Sequence, residues 1–160
     1  MTLAGMDARA QRKGPIPSNP PAAVPLWDER IAVARAQGMA ALVESTLARW
    51  FTEPFRRARP EVVNRFAMLI SNTPLEGYVG CSQALVRIDV TERLGSLEVP
   101  SLVIVGEHDP GTPVAMARAI HENLPRSALA IIPGAAHISN VEQPEAFTNV
   151  LIQFLKRNPQ

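Results

Sequence analysis

Apolar residues recur at helical spacing along the first half of the chain, from Trp27 to about residue 95. A repeat every three or four positions is the pattern of an amphipathic helix with one buried face. A second such stripe follows Pro60, a residue favoured in the first helical turn, and a third helix is predicted over about 76–88. Residues 27–95 are therefore expected to be all-helical. The first stripe comprises Met39, Leu42, Val43, Leu47 and Trp50.

The pattern changes after Pro100, where short apolar runs alternate with helical stripes. Residues 102–105 and 129–132 are rich in β-branched and aliphatic side chains and are bounded by Pro and Gly, which is typical of buried parallel strands. Thr112 is the expected N-cap of the helix between them, and Pro144 opens a final helix. Strand–helix–strand–helix predicts an α/β fold with a right-handed crossover over 96–160. The final helix is expected to bury Phe147, Val150, Leu151, Phe154 and Leu155.

Residues 1–26 show neither the helical spacing of apolar residues nor the short apolar runs of buried strands. Five prolines between positions 15 and 25 each fix a backbone φ angle and remove an amide donor. This composition favours an extended tail or linker before the helical segment.

Composition narrows the class of protein without assigning an activity. The chain has 160 residues, 46% of them hydrophobic and 19% charged, which is typical of one globular domain. The net charge of +1 provides no electrostatic basis for binding nucleic acid or an anionic membrane. No apolar run reaches the about 20 residues of a membrane span, and no secretory signal is visible. The single cysteine, Cys81, excludes an intrachain disulfide and is expected to be buried. The protein is expected to be cytoplasmic.

Candidate catalytic side chains follow both predicted strands. Asp109 stands in the loop after residues 102–105, and His137 stands in the loop after 129–132. Ligands of parallel sheets bind at the carboxyl ends of the strands, so neighbouring strands would bring this carboxylate to a ring nitrogen of the imidazole. Alternatively, Asp109 is a turn residue and His137 a surface or packing residue. A metal site that adds His108 to this pair is a further alternative.

The same stretches resemble the α/β-hydrolase family over about 97–155. Residues 99–109 resemble its acid-bearing strand, and 134–147 resemble its histidine loop and final helix. Within the family, 139–144 are most similar to the 3-oxoadipate enol-lactonases, as are 48–52 and 73–78 in the helical segment. The resemblance implies a partial α/β-hydrolase fold, with a helical cap at 27–95 and the last two βα units of a parallel sheet at 96–160.

The family's nucleophile lies in a Gly-x-Ser-x-Gly turn between a strand and a helix, and residues 1–26 contain nothing similar. The resemblance therefore implies the C-terminal portion of an enzyme, either a fragment or one part that works with a separate N-terminal half. The chain alone is expected to be inactive. Ser82 stands in a similar Gly-x-Ser-x-Ala sequence, but the polar, turn-like residues 72–78 cannot form the strand that must precede the nucleophile. The same objection applies to Cys81 as nucleophile.

The implied reaction is hydrolysis of an enol-lactone to 3-oxoadipate, in which Asp109 orients His137 and no cofactor or metal takes part. Arg49 is the candidate partner of the substrate carboxylate and Trp50 the candidate pocket wall; alternatively, Arg49 is a solvated helix residue and Trp50 a core residue. Glu142 is expected to serve the N-terminus of the final helix. His108 and His121 are expected at the surface.

The sequence is consistent with two other interpretations. The chain could be a non-catalytic remnant or interaction module that keeps the fold without turnover. It could also belong to an α/β-hydrolase that acts on another ester, because such enzymes would share Asp109 and His137. In either case, strands without neighbours would expose unpaired backbone and apolar surface, and self-association is expected.

Overall fold

The computed structural model describes residues 23–158, which fall into two compact units. One unit comprises 23–48 and 53–89, and the other comprises 49–52 and 90–158. The expected proline-rich tail lies outside the described residues up to position 22. From there the prediction is wrong, because a helix begins at Ala23; it includes Pro25, which is tolerated in a first helical turn.

The first unit is built from helices. Its elements are α1 (Ala23–Gln37), a short 3-10 helix (Met39–Leu42), α2 (Val43–Trp50), α3 (Glu53–Ala58), α4 (Pro60–Ser71) and α5 (Leu75–Arg87). The stripe predicted over 39–50 is thus divided into two helices. Gly38 ends α1 with a φ of 80°, a left-handed conformation that glycine adopts without strain. The helices predicted from Pro60 and over 76–88 are confirmed as α4 and α5.

The second unit has the predicted strand–helix–strand–helix order. After α6 (Thr91–Leu94) come β1 (Ser101–Gly106), α7 (Val114–Asn123), β2 (Ser127–Ile132), α8 (Ser139–Glu142) and α9 (Pro144–Arg157). The strands are parallel neighbours, with Ser101 opposite Ser127 and Gly106 opposite Ile132. Both strands therefore end at one edge of the sheet, and the α/β fold class is confirmed.

The core of the second unit lies where α9 packs against the sheet. Burial of aliphatic side chains there contributes about 25 cal/mol for each Å² removed from water. Leu151 and Leu155, expected in this core, are instead 38% and 57% exposed. The buried cluster comprises Ala130, Ile132, Ala135 and Val150, with Leu102, Ile104, Ala146 and Phe147 packed on it.

The compact units meet in sequence at 89/90, six residues before the cap–core boundary drawn from the sequence at 95/96. The four residues 49–52 also group with the second unit, although the sequence places them inside the cap. The domain boundaries themselves stay a prediction. Among residues 23–158, no helix has both the length and the apolar character needed to cross a bilayer.

Candidate active site

The loops after β1 and β2 are held together by their backbones. The amide of His108 donates to the carbonyl of Ala135 at 2.8 Å, and the amide of Glu107 donates to the carbonyl of Ile132 at 3.0 Å. Gly106 permits this approach, because a Cβ atom at that position would lie 2.0 Å from the carbonyl oxygen of Ala136. The sheet edge and this glycine bring the two candidate loops into contact.

The buried carboxylate of Asp109 accepts four hydrogen bonds. Oδ1 accepts from the amides of Gly111 at 2.8 Å and Thr112 at 3.0 Å. Oδ2 accepts from the Thr112 hydroxyl at 2.6 Å and lies 2.8 Å from Nδ1 of His137. The side chain is only 4% exposed, so these bonds replace water as its solvation.

Thr112 does not have its predicted role. The N-cap position of α7 is occupied by Pro113, and the Thr112 hydroxyl donates to Asp109 instead of a helix amide. The turn formed by residues 109–112 satisfies the carboxylate through a local side-chain-to-backbone pattern. A threonine three residues after an aspartate was a visible signal for this arrangement.

His137 is 41% exposed and reaches Asp109 through Nδ1. The Thr112 hydroxyl also lies 3.4 Å from Nδ1. A carboxylate at Nδ1 favours the tautomer that carries its proton there, which leaves Nε2 to accept or release a proton. The pair thus has the arrangement of an acid-oriented histidine base.

The environment shifts the pKa values of both groups. Burial raises the pKa of Asp109, but the hydrogen bonds from His137 and Thr112 outweigh burial and lower it from 3.8 to about 2. The hydrogen bond to Asp109 raises the pKa of His137 above 6.5, against the opposing effect of burial. Each group therefore stabilises the charged form of the other.

Glu142 is buried, and the recorded hydrogen bonds of its carboxylate go to residues other than its predicted partner, the N-terminus of α9. Its Oε1 accepts from the amide of Thr52 at 2.9 Å and from the Thr52 hydroxyl, and its Oε2 accepts from the amide of Ala136 at 2.8 Å. The prediction was wrong because folding brings residues 49–52, which are about 90 positions away in the sequence, into contact with Glu142. No local pattern in the sequence indicated these contacts.

Arg49 and Trp50 end α2, and both are half-buried. The carbonyl of Trp50 accepts from the amide of Ile138, the residue after His137, at 3.0 Å. The structure thus brings the backbone of this segment beside the histidine loop. The substrate-binding role of the two side chains stays a prediction.

The alternative nucleophiles do not have the geometry of a nucleophile turn. Ser82 is buried in the interior of α5, where a helical backbone replaces the required strand-to-helix turn. Cys81 is exposed on the same helix, so the prediction that it is buried was wrong.

The remaining histidines differ from each other. His108 is exposed, as predicted, whereas His121 is half-buried with Nδ1 2.7 Å from the Ser127 hydroxyl, so its surface prediction was wrong. In the part of the chain that the structure describes, no three His, Cys, Asp or Glu side chains are grouped closely enough to hold a metal ion.

Comparison with known proteins identifies the fold family. A family model described as the α/β-hydrolase fold matches residues 8–144. The chain is 37% identical over 131 residues to 3-oxoadipate enol-lactonase 2 of Acinetobacter baylyi, which covers 82% of this chain and 49% of that protein.

Solved structures show the same similarity. The enol-lactonase from Burkholderia xenovorans LB400 matches with a TM-score of 0.80 and 32% identity, over 82% of this chain and 50% of that one. A thermophilic esterase from Thermogutta terrifontis, with malate bound, matches with a TM-score of 0.79 and 27% identity, over 95% and 54%. The chain spans about half the length of these relatives, which fits the prediction that its motifs are those of the C-terminal portion. The chain belongs to the α/β-hydrolase family.

Proposed function

We propose that this chain supplies the acid and the histidine base of an enzyme that hydrolyses 3-oxoadipate enol-lactone. The observation that carries the proposal is the 2.8 Å contact between Asp109 and Nδ1 of His137 at the end of two parallel strands. Similarity to proteins named enol-lactonases supports the substrate class. The nucleophilic serine would come from the part of the complete enzyme that precedes this segment in its relatives.

In this mechanism, the serine hydroxyl attacks the lactone carbonyl while Nε2 of His137 takes its proton. The negative charge of the tetrahedral intermediate is stabilised by backbone amides of the complete enzyme. The ring C–O bond then breaks, and the departing enol oxygen receives the proton from His137. His137 next activates water to cleave the acyl-enzyme, and the released enol tautomerises to the ketone. Asp109 stabilises each imidazolium without itself becoming protonated.

The substrate keeps a free carboxylate, for which Arg49 is the proposed partner. A guanidinium binds a carboxylate through two parallel hydrogen bonds, and the Trp50 indole would wall the same pocket. The position of the segment supports this role, because the backbone carbonyl of Trp50 accepts a hydrogen bond from Ile138, the residue after His137. Arg49→Lys in the active enzyme is expected to raise KM about 10-fold, since an ammonium keeps the charge but loses the fork.

The decisive experiment combines this chain with the N-terminal half of the Acinetobacter baylyi enol-lactonase and measures hydrolysis of 3-oxoadipate enol-lactone. Turnover is expected from the combination and not from either part alone. His137→Ala and Asp109→Asn should each reduce kcat by about 10³-fold or more, whereas Ser82→Ala should not reduce it. Turnover that survives His137→Ala would refute the site.

A second candidate function is hydrolysis of another carboxylic ester, favoured by the similarity to the Thermogutta terrifontis esterase. A panel of lactones and linear esters, assayed with the same combination, distinguishes the two by kcat/KM. A combination that folds but hydrolyses none of them would favour a non-catalytic interaction module. In its catalytic form the protein would act in the cytoplasm, bind a small ester and need no cofactor.

A further inference from the structure

The residues on both sides of His137 are anchored to one short segment of the chain. The amide of Ile138 donates to the carbonyl of Trp50 at 3.0 Å. The amide of Ala136 donates to Oε2 of Glu142 at 2.8 Å, and Glu142 in turn accepts from Thr52 through Oε1. The backbone that carries the imidazole is thus held directly on one side and through a buried carboxylate on the other.

Glu142 has chemistry that its surroundings require. It is buried, and among the described residues its recorded bonds come from neutral donors, two amides and one hydroxyl. A carboxylate offers acceptors on both oxygens, whereas the amide of glutamine offers one oxygen and one NH₂ group. A glutamine at this position would turn NH₂ towards either Thr52 or Ala136 and leave a buried donor without an acceptor, which is costly.

We propose that Glu142 is a positioning residue for His137, which acts by joining the Ala136 amide to Thr52. The proposal rests on the proposed function, in which His137 transfers the proton. The imidazole must keep Nδ1 within 2.8 Å of Asp109, and a loop free to shift by even about 1 Å would lengthen that bond. Glu142 prevents such a shift by holding the loop at Ala136, the residue before His137, while the Trp50 carbonyl holds it at Ile138, the residue after.

The hydrogen bonds of Trp50 and Thr52 with Ile138 and Glu142 agree with the grouping of residues 49–52 with the strand-containing unit. The segment that presents Arg49 and Trp50 as the candidate carboxylate site is the segment that anchors the histidine loop. If Arg49 binds the substrate carboxylate as proposed, substrate binding and the orientation of the imidazole depend on the same short segment, 49–52. A displacement of Thr52 would change both.

The test follows the His137 ring in the full 160-residue chain by ¹⁵N NMR, so it does not depend on turnover. Glu142→Gln is expected to lower the pKa of His137 towards 6.5 and to reduce the fraction of neutral ring that carries its proton on Nδ1. Glu145→Gln is the matched control, because Glu145 is exposed in the first turn of α9. It should leave the His137 pKa and tautomer unchanged.

Thr52 provides a second pair of variants in case Glu142→Gln fails to fold. Thr52→Val removes the hydroxyl donor at nearly constant volume, and Thr52→Ser keeps it. The valine variant should shift the His137 pKa in the same direction as Glu142→Gln. The serine variant should leave the His137 pKa as it is in the unaltered chain. Variants that melt at lower temperature with an unchanged His137 pKa and tautomer would overturn the proposal, because Glu142 would then be merely structural.

The active combination with an N-terminal half supplies an independent readout. Glu142→Gln should lower kcat about 10-fold with little change in KM, because the imidazole and not the substrate is displaced. A shifted His137 pKa in a combination without lactonase activity would support the positioning role and contradict only the proposed function. An unchanged kcat in an active combination would contradict the positioning role itself.

Discussion

At the level of single residues, Asp109 connects the two loops of the candidate active site. Its buried carboxylate is satisfied by the turn that follows it and by His137 from the other loop. The two partners divide the work, because the turn fixes the carboxylate and the carboxylate orients the imidazole. Changes at Asp109 and Thr112 should therefore have different consequences for His137.

Asp109→Asn is expected to lower the pKa of His137 and to flatten the pH dependence of stability. The lowered pKa of Asp109 stabilises the fold above about pH 4, and this contribution is lost as the pH falls through about 2. The raised pKa of His137 stabilises the fold fully below 6.5, and this contribution is lost as the pH rises through that raised value. Urea unfolding from about pH 2 to about pH 9 measures both the acid-side and the alkaline-side loss of stability.

In the unaltered chain, the free energy of unfolding should fall on the alkaline side by an amount that Asp109→Asn removes. The asparagine variant should be less stable by roughly 2 kcal/mol near pH 5, in line with the shift of the Asp109 pKa. If the free energy of unfolding depends on pH equally in the unaltered chain and in Asp109→Asn, the Asp109–His137 pair does not form in solution.

Thr112→Val should raise the pKa of Asp109 from its value of about 2, because the hydroxyl bond to Oδ2 is one cause of the low pKa. Thr112→Ser keeps that donor and should retain the low pKa. Carboxyl ¹³C chemical shifts measured across the acid range report the change. Equal Asp109 titrations in the two variants would mean that the backbone amides of the turn suffice.

At the scale of elements, the site depends on how closely β1 and its loop approach the histidine loop. Gly106 ends β1 directly against the backbone at Ala135 and Ala136. The atoms that a side chain would meet there belong to the main chain, which cannot rotate away as a flexible side chain can. This contact sets the distance between the two candidate catalytic loops.

Gly106→Ala is expected to destabilise the chain by about 1–3 kcal/mol, since the new methyl must displace backbone, and to break the Asp109–His137 bond. Gly80→Ala is the matched control. Gly80 lies exposed within α5 with nothing within 4 Å of the added Cβ, so alanine there should stabilise the helix by about 0.5–1 kcal/mol. Urea unfolding and the His137 NMR signal measure both variants; a destabilised Gly80→Ala and an unaffected Gly106→Ala would contradict this account.

At the scale of the whole molecule, the sheet of the described residues has two strands and therefore two edges without a strand neighbour. Leu151 and Leu155 on α9 are exposed, as is Val99 before β1. Within residues 23–158, apolar surface and strand edges occur together on the same unit. Such surfaces favour association with another polypeptide.

The 160-residue chain alone is expected to self-associate, and addition of the N-terminal half should convert it to a defined complex. Leu155→Lys should weaken self-association, whereas Gln153→Lys adds the same charge at another exposed position of α9 and should weaken it less. Light scattering coupled to size-exclusion chromatography measures the mass of each species. A monomer at all concentrations, with cooperative melting, would refute the expectation.

Local features of the fold could be predicted from the amino-acid sequence. Local sequence patterns were sufficient to predict α4, α5, both strands and α9, because the residues of each element themselves carry the pattern that favours it. The order of strands and helices also placed Asp109 and His137 at one sheet edge, because parallel neighbours end on the same side.

Contacts between distant segments could not be predicted, because they form when the chain folds. The partners of Glu142 include a residue 90 positions away, and the need for glycine at 106 comes from a backbone some 30 positions later. Likewise, the fold and not the apolar pattern decided that Leu155 is exposed, because a stripe shows which face can be buried but not whether a neighbour covers it. Such contacts depend on how loops are folded together, and no local pattern encodes them.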